Sequence, residues 1–343
     1  MASETEVDGF APLRIARVVR ETADAVSLVL DVPEHCARRF RYQAGQFLTL
    51  RVTVGGRDLR RCYSMSSAPV EDELRITVKR DPGGVVSNWI NDTVVEGDEV
   101  HVGPPEGRFV LRGDLSGATE VVAFAGGSGI TPIMSLARAA VDDPDRRVRV
   151  FYANRSRESV IFARPLDRLV AEHGERVLVH KHFDEDDGVV TPAAIEAFIE
   201  PAGDAHYYVC GPGPFMEAVE ESLLAAGVKE SRLHLERFTV AVPEPNAMDE
   251  SSVTEDVVIE LDRKKVVASY RRGDTLLQTA RSAGLRAPAS CETGSCGTCM
   301  ARIVEGSARM LNNDALDDDE VDEGWVLTCQ SLPTSRRVRM TYE

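Results

Sequence analysis

Short apolar runs separated by Gly, Pro and Asp fill the first third of the chain. The runs at 15–19, 26–32, 47–54, 74–79 and 99–102 are rich in β-branched residues and predict β-strands. Closely spaced strands with turn residues between them are typical of small antiparallel barrels. We therefore predict an antiparallel β-barrel domain over residues 9–114.

The rhythm changes after residue 115, where apolar strands alternate with apolar-striped helices. Strands are predicted at 121–125, 148–153, 177–182, 207–210 and 233–235, and helices at 133–140, 166–173, 192–199 and 215–226. This alternation indicates a parallel sheet covered by helices on both faces. The second domain, residues 115–238, is thus predicted to be doubly wound α/β.

A polar segment with two prolines, residues 239–252, follows and has the composition of an extended linker. The third domain, 253–343, opens with an apparent hairpin at 257–261 and 266–270. A helix is predicted at 275–283 and a last strand at 338–341.

Four cysteines of the third domain stand at Cys291, Cys296 and Cys299 and, after 29 further residues, at Cys329. This spacing is the ligand pattern of plant-type [2Fe-2S] clusters. A structural zinc site is the alternative, although zinc modules favour two matched knuckles and this chain has one. A disulfide framework is disfavoured because the chain is large and shows no export signal.

Net charge adds a restriction on partners. At -16 the chain repels phosphate backbones and anionic lipid surfaces, which disfavours nucleic acid and membranes as partners. The polar N-terminus and the lack of a long apolar run predict a cytoplasmic protein. Acidic runs at 184–187 and 317–320 are interpreted as solvated loops, the second alternatively as a docking surface.

Two segments of the barrel domain suit a flavin nucleotide. Residues 61–67, Arg-Cys-Tyr-Ser-Met-Ser-Ser, offer a cation for phosphate, a flat phenol for the ring and hydroxyls for its polar edge. Taken by itself, the tetrapeptide Arg61–Ser64 is also explained by a buried tyrosine whose hydroxyl is hydrogen-bonded. A second element, Gly83 and Gly84 before a helix start near Ser87, would present free amides to a pyrophosphate and favours the flavin.

In the second domain, residues 125–132 (Ala-Gly-Gly-Ser-Gly-Ile-Thr-Pro) join a strand to a helix. Glycines in this context let the backbone approach a diphosphate. The spacing departs from Gly-x-Gly-x-x-Gly, which argues against an ordinary Rossmann dehydrogenase. Two further strand ends, 152–156 and 209–216, point to the same crevice. Cys210 could equally be a small buried hydrophobe.

Together these motifs resemble the ferredoxin-NADP reductase superfamily, in particular oxygenase reductases with a C-terminal plant-type ferredoxin domain. The resemblance implies a β-grasp, ferredoxin-like α+β fold for the third domain. Residues 87–89, 312–313 and 325–330 are most similar to reductases of 3-ketosteroid 9α-hydroxylases, which serve Rieske oxygenases. Reductases of phenylacetyl-CoA epoxidases share the domain order and are the nearest rival.

Carried over onto matching positions, the resemblance implies two sets of cofactor contacts. The FAD set is Arg61, Tyr63, Ser64, Ser67, Val78, Lys79, Gly84, Val85, Val86, Ser87 and Phe238. The nicotinamide set is Gly126, Gly127, Ser128, Gly129, Thr131, Pro132, Asn154, Arg155, Cys210, Gly211 and Pro212. Ser64, Cys210 and Glu236 are assigned to the catalytic centre, and the four cysteines to the cluster iron.

The expected activity follows from this resemblance: hydride from NADH to FAD, then single electrons through the [2Fe-2S] cluster to a terminal oxygenase. FMN is the alternative flavin. NADPH stays possible because Arg155 and Arg157 could meet a 2′-phosphate. Two other classes compete with this prediction. They are a zinc-stabilised binding module and a stand-alone oxidase or redox sensor without a protein partner.

Overall fold

The computed structural model describes residues 9–111, 120–199, 205–238, 254–313 and 315–342. The chain divides into two compact units, residues 1–238 and 239–343. The predicted linker at 239–252 lies outside the described residues.

A six-stranded antiparallel sheet with the order β4-β3-β6-β1-β2-β5 forms the first half of the first unit. An isolated bridge between Met65, just beyond β4, and Ile76 of β5 links the two edge strands, which closes the sheet into a barrel. Apolar side chains from every strand fill the interior. The strands are β1 (Ala11–Thr22), β2 (Ala25–Asp31), β3 (Phe47–Val54), β4 (Arg57–Ser64), β5 (Leu74–Lys79) and β6 (Glu99–Val102), and helix α1 is Val85–Thr93.

The second half of the first unit is a five-stranded parallel sheet with the order β11-β10-β7-β8-β9. Helices α2 and α3 pack on one face, and α5 and α6 pack on the other. The strands are β7 (Glu120–Gly126), β8 (Arg147–Asn154), β9 (Val177–Phe183), β10 (Ala205–Gly211) and β11 (Leu233–Arg237). The helices are α2 (Ile130–Ala140), α3 (Ala163–His173), α4 (Asp184–Asp187), α5 (Pro192–Ile199) and α6 (Gly213–Ala225).

The second unit is a mixed five-stranded sheet with the order β13-β12-β18-β14-β16, covered by helix α7. Strands β12 and β18 pair in parallel, and the other neighbours in this sheet are antiparallel. The elements are β12 (Asp256–Leu261), β13 (Lys264–Ser269), α7 (Leu276–Ser282), β14 (Met300–Glu305), β15 (Ala308–Met310), α8 (Asp318–Asp322), β16 (Trp325–Leu327), β17 (Ser331–Pro333) and β18 (Arg337–Thr341).

These three architectures confirm the predicted fold classes, with differences in detail. Arg61 to Ser64 of the flavin motif lie inside β4, a strand that was not predicted and that is the hairpin partner of β3. The acidic run at 184–187 forms the short helix α4 instead of a loop, and the run at 317–320 caps and begins α8. In the described part of the chain, no helix combines the length and apolar character needed to cross a bilayer.

Candidate functional site

The end of strand β4 carries a buried hydroxyl that lacks a hydrogen-bond partner among the described residues. Ser64 is 3% exposed, and its Oγ meets no donor or acceptor of that part of the chain within hydrogen-bond distance. Unpaired buried polar atoms are rare because each forfeits its hydration, so they point to a missing partner. Tyr63, one residue earlier, is half-buried, and burial raises the pKa of its phenol. The pair fits a flavin, with a flat ring beside a polar contact.

Ser67 has a different environment from Ser64. Its Oγ donates to the Glu73 carbonyl at 2.8 Å, accepts from the Arg75 amide at 3.1 Å, and lies 2.8 Å from the Tyr42 hydroxyl. These bonds hold the segment after β4 against β5. A direct flavin contact of Ser67 stays a prediction.

A glycine turn connects β5 to helix α1. A Cβ on Gly84 would lie 2.6 Å from Ser87 Oγ and 2.9 Å from Asp81 Cβ, so the turn closes only around glycine. Ser87 Oγ accepts the Asp81 amide at 3.1 Å. Gly84 is the N-cap of α1, whose first amides are free of intrahelical partners. This end of the helix suits a pyrophosphate.

A second glycine turn follows β7 and packs against the end of β10. A Cβ on Gly129 would lie 2.0 Å from the Cys210 carbonyl oxygen, and one on Gly211 would lie 3.0 Å from the Gly126 Cα. A Cβ on Gly126 would meet the Pro212 ring at 2.7 Å. Glycine is therefore required where these two strand ends meet. The order of the sheet reverses between β7 and β10, which is where ligands of α/β sheets bind.

Strand β8 supports this turn from the other side. The Tyr152 hydroxyl donates to the Gly127 carbonyl at 3.2 Å and accepts the Ile161 amide at 3.1 Å. Asn154 lies beside the Tyr152 hydroxyl and is 4% exposed, yet within the described ranges its amide nitrogen and oxygen reach no partner at hydrogen-bond distance. A polar ligand at the end of β8 would satisfy it. The supporting role of Tyr152 was not predicted, since a tyrosine in an apolar strand gives no signal beyond core packing.

Cys210 and Glu236 are direct partners in the ladder between β10 and β11. Cys210 is fully buried, and burial, reinforced by the nearby Glu236 carboxylate, raises the pKa of its thiol well above the usual value. The thiol is therefore neutral at physiological pH. The structure brings these two predicted catalytic residues together at the same end of the sheet.

The barrel and the parallel sheet share one crevice. Lys79, at the end of β5, places its Nζ 3.8 Å from the position a Cβ on Gly127 would occupy, and 3.7 Å from Asp24 Oδ2. Ser135 on α2 donates to the Ser67 carbonyl at 2.6 Å. The glycine turn after β7 and the flavin motif of β4 therefore flank the same space.

The other predicted contacts lie around this crevice with varied exposure. Phe238 is 46% exposed at the end of the described part of the first unit, and Arg155 is exposed just beyond β8. The Arg61 guanidinium donates to the Arg60 carbonyl at 2.6 Å. Val78, Val86, Thr131 and Pro132 are buried, and Val85 and Ser128 are half-buried. Individual cofactor contacts of these residues stay predictions.

The four cysteines of the second unit lie around one loop and one strand end. Cys291, Cys299 and Cys329 are buried and Cys296 is half-buried. Gly294 and Gly297 have φ angles of 92° and 76°, which side-chain-bearing residues rarely adopt. This backbone directs amides at sulfur: Thr293 N donates to Cys291 Sγ and Thr298 N to Cys296 Sγ, both at 3.4 Å.

Side chains outside the loop hold its carbonyls. Gln330 Nε2 donates to the Glu292 carbonyl and Asn312 Nδ2 to the Thr293 carbonyl, both at 2.8 Å. The Thr328 hydroxyl donates to the Cys299 carbonyl at 2.8 Å. These three side chains hold the carbonyls of the loop in place, a role for which the sequence alone gives no signal.

The thiols form an electrostatically coupled group. A hydrogen bond between Cys299 and Cys329 lowers the pKa of Cys299 and raises that of Cys329, and the remaining cysteines raise the pKa of Cys329 further. Crowded thiolates need positive charge to coexist, which iron supplies.

Comparison with known proteins decides the family. Family models for an oxidoreductase FAD-binding domain, an oxidoreductase NAD-binding domain and a 2Fe-2S iron-sulfur cluster binding domain match residues 12–111, 124–221 and 259–334. The ferredoxin reductase component of 3-ketosteroid-9-alpha-monooxygenase from Mycolicibacterium smegmatis is 39% identical over 96% of both chains. This chain belongs to the family of oxygenase ferredoxin reductases.

The reductase has further relatives that match it over nearly its whole length. A component of the 1,2-phenylacetyl-CoA epoxidase from Escherichia coli is 28% identical over 97% of this chain and 98% of the relative. The solved structure of phthalate dioxygenase reductase aligns over 98% of both chains with a TM-score of 0.67 and 28% identity. That reductase is described as a modular structure for electron transfer from pyridine nucleotides to [2Fe-2S].

These matches confirm three choices left open by the sequence. The flavin domain is an FAD-binding domain, the glycine turn after β7 belongs to an NAD-binding domain, and the cysteines belong to a 2Fe-2S domain. The zinc module is excluded as the identity of the second unit. The reductase is an oxidoreductase with FAD, NAD and 2Fe-2S domains.

Proposed function

We propose that the reductase takes electrons from NADH and delivers them to the terminal oxygenase of a 3-ketosteroid-9-alpha-monooxygenase. The observation that best supports electron transfer from the nicotinamide to the flavin is the shared crevice, where Lys79 of the barrel reaches the glycine turn that follows β7. The choice of oxygenase is supported by the relative from Mycolicibacterium smegmatis, which is 39% identical over 96% of both chains.

Bound FAD would accept the two electrons of a hydride and pass them singly to the iron-sulfur cluster. The residues of the chain supply position and polarity. Gly126, Gly129 and Gly211 let the ends of β7 and β10 pack closely together beside the crevice, and the free amides of α1 suit the flavin pyrophosphate. Ser64 offers its hydroxyl, which has no hydrogen-bond partner among the described residues, to the polar edge of the flavin.

Cys210 and Glu236 lie side by side at the ends of β10 and β11. Because the Cys210 thiol stays neutral, it can border a nicotinamide without adding charge to the crevice. In the second unit, amides aimed at Cys291 and Cys296 stabilise negative sulfur and thereby favour the reduced cluster.

The experiment is reconstitution. The reductase, loaded with FAD and with its [2Fe-2S] cluster reconstituted from iron and sulfide, is mixed with the terminal oxygenase of the Mycolicibacterium smegmatis 3-ketosteroid-9-alpha-monooxygenase, a 3-ketosteroid and NADH. We expect a 9α-hydroxylated product that requires both proteins. The Cys296→Ser variant serves as the control, because it should still transfer hydride to flavin but yield no product. Product formation with a phenylacetyl-CoA epoxidase instead would reassign the partner.

A further inference from the structure

The short acidic helix α4 is tied to the loop that follows β8. The Glu185 amide donates to the Arg155 carbonyl at 3.1 Å, and the Glu185 carboxylate accepts the Arg157 amide at 3.1 Å. Both bonds involve Glu185, so α4 is held at a fixed position beside the loop that follows β8. We call Asp184–Asp187 the acidic turn. Its four carboxylates therefore stand beside the two arginines that could meet a 2′-phosphate.

One of those arginines is occupied by the acidic turn. Arg157 Nη2 lies 2.6 Å from Asp186 Oδ2, and the guanidinium stacks over the Phe183 ring at 4.4 Å from its centroid. The two charged side chains are 65% and 47% exposed, so the pair adds little to stability. The ion pair instead fixes the position of the Arg157 guanidinium, because it directs this group toward α4.

The base of the acidic turn is anchored. His182 is 6% exposed and lies 2.8 Å from the Gly188 carbonyl through Nε2, which joins the two ends of the turn. The same imidazole stands 3.8 Å from Asp184 and 4.0 Å from Asp187. The carboxylates of α4 are thus held beside the end of β8.

An independent observation points to a polar ligand at the end of β8. Asn154, the last residue of that strand, is 4% exposed, and its amide reaches no hydrogen-bond partner in the described part of the chain. β8 neighbours β7, whose glycine turn would hold the diphosphate. In dinucleotide-binding α/β sheets the adenosine ribose lies near the end of this next strand, where an acidic residue favours a 2′-hydroxyl and an arginine favours a 2′-phosphate.

Resting on the proposed function, we propose that Glu185 and Asp186 make the reductase selective for NADH over NADPH. Asp186 holds the Arg157 guanidinium, and both carboxylates repel a 2′-phosphate dianion. Arg157 becomes a 2′-phosphate ligand only when these charges are removed. The acidic turn, interpreted from the sequence as a solvated loop, thereby sets the nucleotide that the crevice accepts.

The test measures binding of 5′-AMP and 2′,5′-ADP, which differ by the 2′-phosphate alone, by isothermal titration to the FAD-loaded protein. The double variant Glu185→Gln/Asp186→Asn keeps the hydrogen-bonding atoms and removes two charges. We expect its affinity for 2′,5′-ADP to rise about tenfold, while 5′-AMP changes less than about twofold. Adding Arg157→Ala should reverse the gain.

The matched control is Asp167→Asn, which breaks a surface ion pair with Lys181 at 2.7 Å on the same sheet edge. It should leave both affinities unchanged. The single variant Asp186→Asn gives the same readout should the double variant fold poorly. The proposal is overturned when wild-type protein binds 2′,5′-ADP as tightly as 5′-AMP, or when charge removal leaves their ratio within twofold.

Kinetics separate this proposal from the proposed function. With ferricyanide as acceptor, the double variant should raise kcat/KM for NADPH about tenfold and hardly change that for NADH. Protein that shows the expected nucleotide affinities but transfers no hydride from either nucleotide would contradict the reductase function and leave the selectivity intact.

Discussion

Ser135 Oγ donates a 2.6 Å hydrogen bond to the carbonyl oxygen of Ser67, and both residues are fully buried. The same hydroxyl accepts the Gly45 amide at 3.3 Å. Ser135 belongs to α2, the helix opened by the glycine turn, whereas Ser67 ends the flavin motif of the barrel. One side chain thus joins the two halves of the crevice.

Ser135→Ala is expected to slow hydride transfer more than it weakens binding. The change leaves the Ser67 carbonyl unsatisfied in a buried interface, which costs about 1–3 kcal/mol of stability in the first unit. Because small misplacements of reacting atoms reduce rates strongly, the rate of flavin reduction by NADH should fall about tenfold or more. Stopped-flow absorbance under anaerobic conditions measures this rate.

The control for that variant is Ser222→Ala. Ser222 is buried on α6 and donates to the Ala218 carbonyl of its own helix at 2.8 Å, away from the interface with the barrel. A comparable slowing of flavin reduction in Ser222→Ala would show that general loosening, not the Ser135 bridge, limits the rate.

Ser64 and Ser67 should respond in opposite ways to replacement by alanine. Ser64 Oγ has no partner among the described residues, so Ser64→Ala removes an unpaired polar atom and should leave the flavin-free protein equally or more stable. Ser67→Ala breaks the bond to the Glu73 carbonyl and strips the Arg75 amide of its acceptor, and should cost about 1–3 kcal/mol.

The rate of flavin reduction should fall in Ser64→Ala even though the stability of the flavin-free protein does not. Loss of a hydroxyl at the reacting edge is expected to slow reduction by NADH by about tenfold, while the FAD content stays near that of the wild type. Thermal unfolding of the flavin-free protein and stopped-flow reduction together check both statements. A large loss of apo-protein stability in Ser64→Ala would contradict the assignment.

Periodicity predicted the fold classes of the first two domains and spacing predicted the cluster cysteines, because both depend on local signals, whereas the β-grasp fold of the third domain followed from the family resemblance. The strand-helix rhythm after residue 115 and the spacing of Cys291, Cys296 and Cys299 are readable along the chain. β4 was not predicted, since Arg57 to Arg61 includes four charged side chains that hide its β-character. Its existence depends on pairing with β3, which is a tertiary interaction.

Contacts between distant segments could not be predicted. The link from Tyr152 to Gly127, the bridge from Ser135 to Ser67 and the ties of the acidic turn join residues that only the fold brings together. The sequence offers such residues as ordinary core or surface positions. The cofactor motifs were visible, whereas the residues that position them were not.

Gly129→Ala should disable the nucleotide site. Its Cβ would stand 2.0 Å from the Cys210 carbonyl oxygen, a backbone atom that cannot move without shifting the end of β10. We expect at least about 1–3 kcal/mol of destabilisation and a loss of NADH oxidation greater than tenfold. Gly213→Ala is the matched control, since a Cβ there meets nothing within 4 Å. Equal activity of the two variants would refute the packing argument.

The Cys210 thiol should resist alkylation even at pH 9. Burial, and secondly the Glu236 carboxylate, raise its pKa in the folded state above the unfolded value of ~8.5. The stabilisation from keeping the thiol neutral is therefore complete below pH ~8.5 and declines as the pH rises above it. Mass spectrometry after iodoacetamide treatment should find Cys36 and Cys62 labelled well before Cys210.

Replacing a cluster cysteine should separate the two redox functions of the chain. Cys291→Ser removes a thiolate that receives the Thr293 amide, so the 2Fe-2S domain should lose its visible absorption and bound iron. Hydride transfer depends on the first unit and should continue, whereas cytochrome c reduction through the cluster should fall at least tenfold. Cys36→Ser, a substitution in the first unit, should change neither the iron content nor the rate of cytochrome c reduction. Retention of both the full iron content and an unchanged visible absorption spectrum in Cys291→Ser would contradict the ligand assignment.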